Sequence, residues 1–310
     1  MRKIVNLICS KSKLARELRY NISFIRATGY VPSFKNPKTY NEKINYRKNN
    51  PKNELFSVCS DKIKSKEYVA QKLSSDYIIE NYYVGDSITV EKIKEILADK
   101  GDLLLKANHN SGPVYLITTE ATDDEITRKV YDVNNQLKVD YGKQLNEPWY
   151  SDIKRGVLVE KRLSPQEGET DVRDYKFHVF KQNDGSFKII VQIDFERSGN
   201  HSRSFFDDEL NWLPFYTLYA DTGVCIKTSI KMPKNYDLML TAAKKLAEPF
   251  SYVRVDLYNV DGAIYFGELT FAQGSGRSGL TNKGYDLWLG RLWQGQRSYP
   301  LFVSPERPLP

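Results

Sequence analysis

Two acids stand where acids are costly. In VRVDLY (253–258) Asp256 alternates with apolar residues, and in FGELTF (266–271) Glu268 lies inside a second apolar run. A strand turns successive side chains to opposite faces, so Arg254, Asp256 and Tyr258 share one face and Val253, Val255 and Leu257 the other. The same rule groups Ile264, Phe266, Glu268 and Thr270 on the second strand. A carboxylate taken out of water needs a partner. A hard divalent cation is one, since magnesium binds through one or two carboxylates plus the oxygens of a nucleotide. The simpler alternative is a cross-strand pair in which Arg254 neutralises one acid. The turn must cooperate for a shared metal. A two-residue Asp261-Gly262 loop puts the acids on opposite faces, whereas a three-residue Asp261-Gly262-Ala263 loop sets them directly across. The metal reading therefore expects the longer loop.

Three further positions could complete such a site. Lys106 ends the apolar run LLLK and is followed by ANHNSG, which holds His109, Ser111 and Gly112. An ammonium at a strand end beside a small-residue loop can meet phosphate oxygens with backbone N–H groups. It can equally be an ordinary turn, and the GxxxxGK[ST] pattern is absent. Glu160 ends the run VLVE, where it could accept from a ribose hydroxyl or belong to a solvated strand end with Lys161 and Arg162. Lys176 alternates with Tyr175 and Phe177 and points to the same region. Arg277, in GSGRSG (274–279), could meet an acidic substrate from a flexible loop. His109, His178 and His201 match no zinc spacing, and His178 reads as a packed strand residue. No GxSxG elbow, kinase catalytic loop or dinucleotide-binding fingerprint occurs.

The elements that must position these residues follow from periodicity. The chain has 310 residues, 40% hydrophobic and 27% charged, enough for a sizeable core. Residues 1–30 read as a helix with Leu14, Leu18, Ile22 and Ile25 at helical spacing and Lys11, Lys13, Arg16, Arg19 and Arg26 beside them. A solvated basic face on a packed helix is the simpler reading, and a helix lying on a membrane surface the alternative. A short helix near 41–47, one starting at Asp61 and one ending at Gly101 come next. Strands at 103–105 and 114–118, a helix over 122–140, and strands GVLVEKRL, DYKFHVF and FKIIVQIDFER follow. The turn QNDG joins the last two strands. The helix YDLMLTAAKKLAEPF precedes the two acid-bearing strands. This order predicts an α+β fold rather than a doubly wound parallel sheet. The expected division is a helical segment (1–55), two α+β units (56–155 and 156–293) and a tail (294–310). Cys9, Cys59 and Cys225 are too few and too scattered for a disulfide framework or CxxC site, which suits a cytoplasmic chain.

Taken in order, the pieces SDKIKSKEYV, LLLKANHNSG, EPWYSDIKRGVLVEKRL, RDYKFHVF and YVRVDLYNVDGAIYFGELTF resemble an ATP-grasp enzyme of the TupA-like type, associated with teichuronopeptide and other bacterial surface-polysaccharide synthesis. The resemblance covers most of residues 36–290. It implies two α+β subdomains with antiparallel sheets gripping ATP. It also implies Lys106 on the phosphates with His109, Ser111 and Gly112 in the covering loop, and Glu160, Lys161 and Leu163 near adenine and ribose. Lys176 joins them, and Lys62 is a second ATP-facing lysine. Asp256, Glu268 and Thr270 fall on magnesium. Arg254 meets the substrate carboxylate or the transferring phosphoryl group, and Lys106 and Arg254 are the catalytic pair. Many such enzymes carry Asn where this chain has Thr270, and the family often has Arg at Lys66, which receives no role.

The implied activity is Mg-ATP-dependent ligation of a carboxylate to an amine through an acyl phosphate. The partners would be an amino acid and a uronic-acid-containing surface or capsular polysaccharide, with no nucleic acid. A net charge of +7 suits acidic ligands without choosing among them. Two other classes compete. A glycosyltransferase also pairs carboxylates with a metal, though no closely spaced DxD is present and only Asp171–Asp174 and Asp207-Asp208 are acidic clusters. A non-catalytic polyanion-binding protein would use the lysine-rich 35–72 region but leaves Asp256 and Glu268 unexplained. The expected location is the cytoplasm or the inner face of the membrane.

Overall fold

Alternation writes the first sheet. Leu103, Leu105 and Ala107 of β2 (Leu103–Ala107) are fully buried. They pack with Val157 and Val159 of β4 (Val157–Lys161) on Ile93, Ile96, Ile126, Val130 and Val133. Those residues belong to helices α5 (Val90–Lys100) and α6 (Asp123–Gln136), N-capped by Thr89 and Thr122. The other face is left with Lys106 and Glu160. With β1 (Asn81–Gly85) and β3 (Val114–Ile117) the order is β1-β4-β2-β3, antiparallel throughout. The computed structural model describes residues 13–165, 172–195, 202–218 and 226–294.

The second sheet has the order β10-β9-β5-β6-β7-β8, built from β5 (Asp174–Lys181), β6 (Phe187–Phe195), β7 (Ser202–Phe206), β8 (Trp212–Leu213), β9 (Tyr252–Val260) and β10 (Ala263–Thr270). One face is apolar. Phe177, Val179, Val191, Ile193, Val253, Val255 and Leu257 meet Met239, Ala242, Ala243 and Leu246 of α8 (Tyr236–Ala247) in the main core. The opposite face is buried yet polar, carrying Asp174, Lys176, His178, Gln192, Asp194, Arg254 and Asp256. An apolar face supplies the core, so a polar face held out of water must be internally paired.

The strand with Glu160 pairs with β1 and β2 in the first sheet. The helix expected to start at Asp61 is two helices, α3 (Leu55–Ser60) and α4 (Lys64–Lys72), broken at Asp61. Asp61 turns its carboxylate to the amides of Ile63 and Asn108, at 2.9 Å each, which fastens the break to the loop after β2. The expected N-terminal helical segment is present as α1 (Lys13–Thr28) and α2 (Tyr40–Asn49). Asp286 of α9 (Lys283–Leu292), a helix not expected, accepts from Asn41 N at 3.0 Å and Tyr30 OH at 2.6 Å. Residues 295–310, most of the expected tail, and His201 lie outside the described residues.

Candidate active site

Asp256 and Glu268 are direct cross-strand partners. The turn between them is nevertheless the short one, with Val260 paired to Ala263 and Asp261 and Gly262 at φ 56° and 97°. A two-residue loop with both φ positive is the hairpin form that matches strand twist. Parity is restored by a bulge between Phe266 and Glu268, where Gly267 is the extra residue. The bulge also redistributes the faces. Ile264, Phe266 and Leu269 are buried on the apolar side, while Glu268 and Thr270 join Asp256. The expected grouping of Ile264 and Phe266 with Glu268 is therefore wrong. A side chain at 267 would put its Cβ 3.1 Å from both the Asp256 carbonyl and the Tyr258 ring.

Arg254 lies between the two acids. Its Nε and Nη2 donate to the two Asp256 oxygens at 2.6 Å, and Nη2 also reaches Glu268 at 2.6 Å. Lys176 donates to Asp256 at 2.7 Å and also pairs with Asp174. Burial would raise the Asp256 pKa, but the Arg254 and Lys176 charges win and hold it well below the carboxylate range. Burial acts to lower Lys176, and Asp174 and Asp256 raise it above the ordinary ammonium value. Thr270 Oγ1 donates to Glu268 at 3.2 Å. The Glu268 side chain is 42% exposed, so this end of the network opens outward.

A second cluster lies on the first sheet. Glu160 accepts from Lys106 and, at 2.7 Å, from Lys66. Burial works to raise its pKa, and the two ammonium groups keep it below the usual value. Lys66 also donates to Ile79 O at 2.6 Å and Asn81 Oδ1 at 2.5 Å. It is thus a site residue that sequence reasoning left without a role. Its spacing from Lys62, one helical turn, was the available signal.

Lys62 connects the clusters. Burial pushes its ammonium down to about 8, with Glu268 and Glu160 opposing and Lys106 adding to the shift. Its Nζ donates to the Asn110 carbonyl in the loop after β2. That loop is braced at its base, where Asn108 exchanges bonds with Gly156 at 3.0 and 2.8 Å. Ser111 at its tip is exposed and shares a hydrogen bond with Tyr141, and Gly112 has a φ of 134° that favours glycine. Three lysines, Lys66 buried and Lys62 and Lys106 half-buried, two of them on one carboxylate, leave room for added negative charge here.

Some expected residues lie elsewhere. The His109 ring is buried with Nε2 3.2 Å from Val139 O, so it anchors the loop. His178 packs as expected, its Nδ1 2.9 Å from Tyr252 OH, and burial pushes it down to about 3. Lys161 is exposed and Leu163 half-buried past the strand end. Arg277 turns away to Ser23 Oγ at 2.9 Å and the Tyr20 ring. Its loop is not the flexible one expected, because Ser275, Gly276 and Ser278 are tied to Lys48, Asn45 and Asn41 of α2. Glu147, 4% exposed, sits near this loop, and its Oε1 has no hydrogen-bond partner among the described residues. Burial pushes its carboxyl up to about 7 against the charges of Lys48 and Arg277.

Among the described residues no three His, Cys, Asp or Glu side chains form a metal cage. The donors present fit a hard divalent ion that takes two carboxylates and completes its shell from a ligand. They are paired hard oxygens, one with an exposed side chain, and the Arg254 pairing expected of the simpler alternative is present between them.

The TupA-like ATPgrasp family matches residues 42–294. No curated protein matches the chain. Solved structures with some likeness include D-alanine-D-alanine ligase from Helicobacter pylori, 14% identical with a TM-score of 0.46 over 76% of this chain and 61% of that one. The D-alanine–D-alanine ligase of Bacillus anthracis complexed with ATP is 15% identical, with a TM-score of 0.39 over 69% and 54%. The ATP-grasp ligase PsnB, complexed with minimal precursor, Mg and ADP, is 12% identical, with a TM-score of 0.34 over 70% and 51%. The match thus spans between half and three-fifths of these ligases.

Proposed function

The chain belongs to the TupA-like ATP-grasp family, and on that premise we propose that it is an ATP-dependent ligase joining a carboxylate to an amine through an acyl phosphate. The observation that carries this reading is the pair of charge clusters, Lys66 and Lys106 on Glu160 in one sheet and Arg254 between Asp256 and Glu268 in the other. A polyphosphate between the sheets would meet Lys62 and Lys106. Glu160, held by Lys66, is set for ribose hydroxyls, with Lys161 and Leu163 beside the base. Asp256 and Glu268 would hold magnesium, with Thr270 orienting Glu268. Magnesium bound there adds positive charge against the phosphoryl oxygens.

The rest is work for the chain's own side chains. Arg254 releases one acid and presents its guanidinium to the carboxylate or to the phosphoryl group moving onto it. The carboxylate oxygen bonds to the γ-phosphorus and ADP leaves. The amine then attacks the acyl carbon, loses a proton, and phosphate leaves as the amide forms. Excluding water from the cleft protects the acyl phosphate. For substrates we take an amino acid and a uronic-acid-containing surface polysaccharide, which the basic chain would attract.

Calorimetric titration with ATP and magnesium tests this reading. Wild type is expected to bind only with both present, and Asp256→Asn and Glu268→Gln each to weaken binding by about tenfold or more. Binding of a UDP-sugar without ATP would instead mark a glycosyltransferase. Binding of neither, with salt-sensitive capture of polyanions, would leave only the non-catalytic reading.

A further inference from the structure

The positive charge of this chain is concentrated at one end. Residues 1–26 carry seven Lys or Arg and one acid, Glu17, so six of the seven net positive charges lie there. Within α1, one face is committed to the body of the protein. Phe24 is fully buried, Ser23 accepts from Arg277, and Tyr20 donates to Ser275 O at 3.0 Å. The other face is apolar and open. Leu18 is 59% exposed, Ile22 41% and Ile25 36%, with Val31 at 77% just past the helix end. At about 100° per residue these three helical positions form one stripe, and Arg19 and Arg26 fall together along its edge. Arg26 is exposed.

We propose that the exposed face of α1 docks on an anionic membrane surface. The occupant follows from the combination. A soluble polyanion would neutralise the arginines and leave three large aliphatic side chains in water. A bilayer interface takes both, with aliphatics among the acyl chains and cations at the headgroups. Among the described residues no helix is long and apolar enough to cross a membrane, so α1 lies on the surface. Outside residues 1–26 the formal charges nearly cancel, so the net positive charge belongs to the segment that carries α1.

Co-sedimentation with vesicles tests it, using phosphatidylcholine containing phosphatidylglycerol against phosphatidylcholine alone. The full chain is expected to bind the anionic vesicles about tenfold or more tightly, and to release them as salt rises. Replacing Leu18, Ile22 and Ile25 together by Ser should lower that binding by about tenfold with an unchanged melting temperature. Should the triple variant melt early, Arg26→Glu carries the same test and is expected to weaken vesicle binding. Equal binding to both vesicles, or undiminished binding by the variants, overturns the proposal. So does a dimer that the triple variant dissolves, since a second copy then covers the stripe. Capture of an acidic polysaccharide without vesicle binding overturns it as well.

Discussion

At the scale of single residues, the site is a set of buried charges that would each be untenable alone. Asp256 keeps its charge because Arg254 and Lys176 donate to it, and Glu160 because Lys106 and Lys66 do. Glu147 is the exception, buried with one oxygen unpartnered among the described residues and its carboxyl pushed up to about 7. A carboxyl whose folded pKa lies above its ordinary value binds its proton more tightly when folded. Its contribution to stability is therefore present at low pH and is lost as pH rises through about 7. E147Q stays neutral throughout. Its gain over wild type, from urea midpoints, is expected to be about 2 kcal/mol larger near pH 8 than near pH 5. His178, held neutral by burial, titrates in both chains and cancels in the difference. An equal gain at both pH values would sink the idea.

At the scale of elements, the hairpin that carries the acids combines two features that cancel. The two-residue turn sets one parity and the Gly267 bulge reverses it. Gly267→Val would drive a branched side chain toward the Asp256 backbone and the Tyr258 ring, both 3.1 Å from the first added carbon. The expected outcome is a loss of about 1–3 kcal/mol of stability and weaker magnesium-dependent nucleotide binding. Deleting Gly267 should be the milder change, because Glu268 then follows Phe266 directly and still faces Asp256. Binding by the deletion variant is expected within about tenfold of wild type. If the valine variant binds normally and the deletion abolishes binding, the bulge has a purpose other than parity.

At the scale of the whole molecule, the two sheets hold opposite halves of one charge arrangement. The first carries Lys106 on Glu160, which Lys66 also holds, and the second offers Asp256 and Glu268 around Arg254. A nucleotide spanning both should stabilise the folded chain as a unit. With ATP and magnesium at a hundred times the dissociation constant the gain is about 2.7 kcal/mol, read as a rise in Tm. EDTA is expected to remove most of it, since the acids then keep Arg254 as their only bridge. An ATP-induced rise that EDTA leaves intact would argue against magnesium at these acids.

The sequence by itself determined the α+β class, most strands and helices, and the residues that carry the charges. Those follow from local periodicity and from the expense of placing Asp256, Glu268, Lys106 or Glu160 in apolar runs. It could not determine which acids face each other. Parity across a hairpin depends on a bulge whose reason is packing, and Gly267 looks like any glycine in a strand. Nor could it show that Lys66 completes Glu160, that β4 joins the first sheet, or that Arg277 turns to α1. Each of those contacts joins residues far apart in the chain. Local pattern sets which groups must be compensated, and only the tertiary structure decides by which partner.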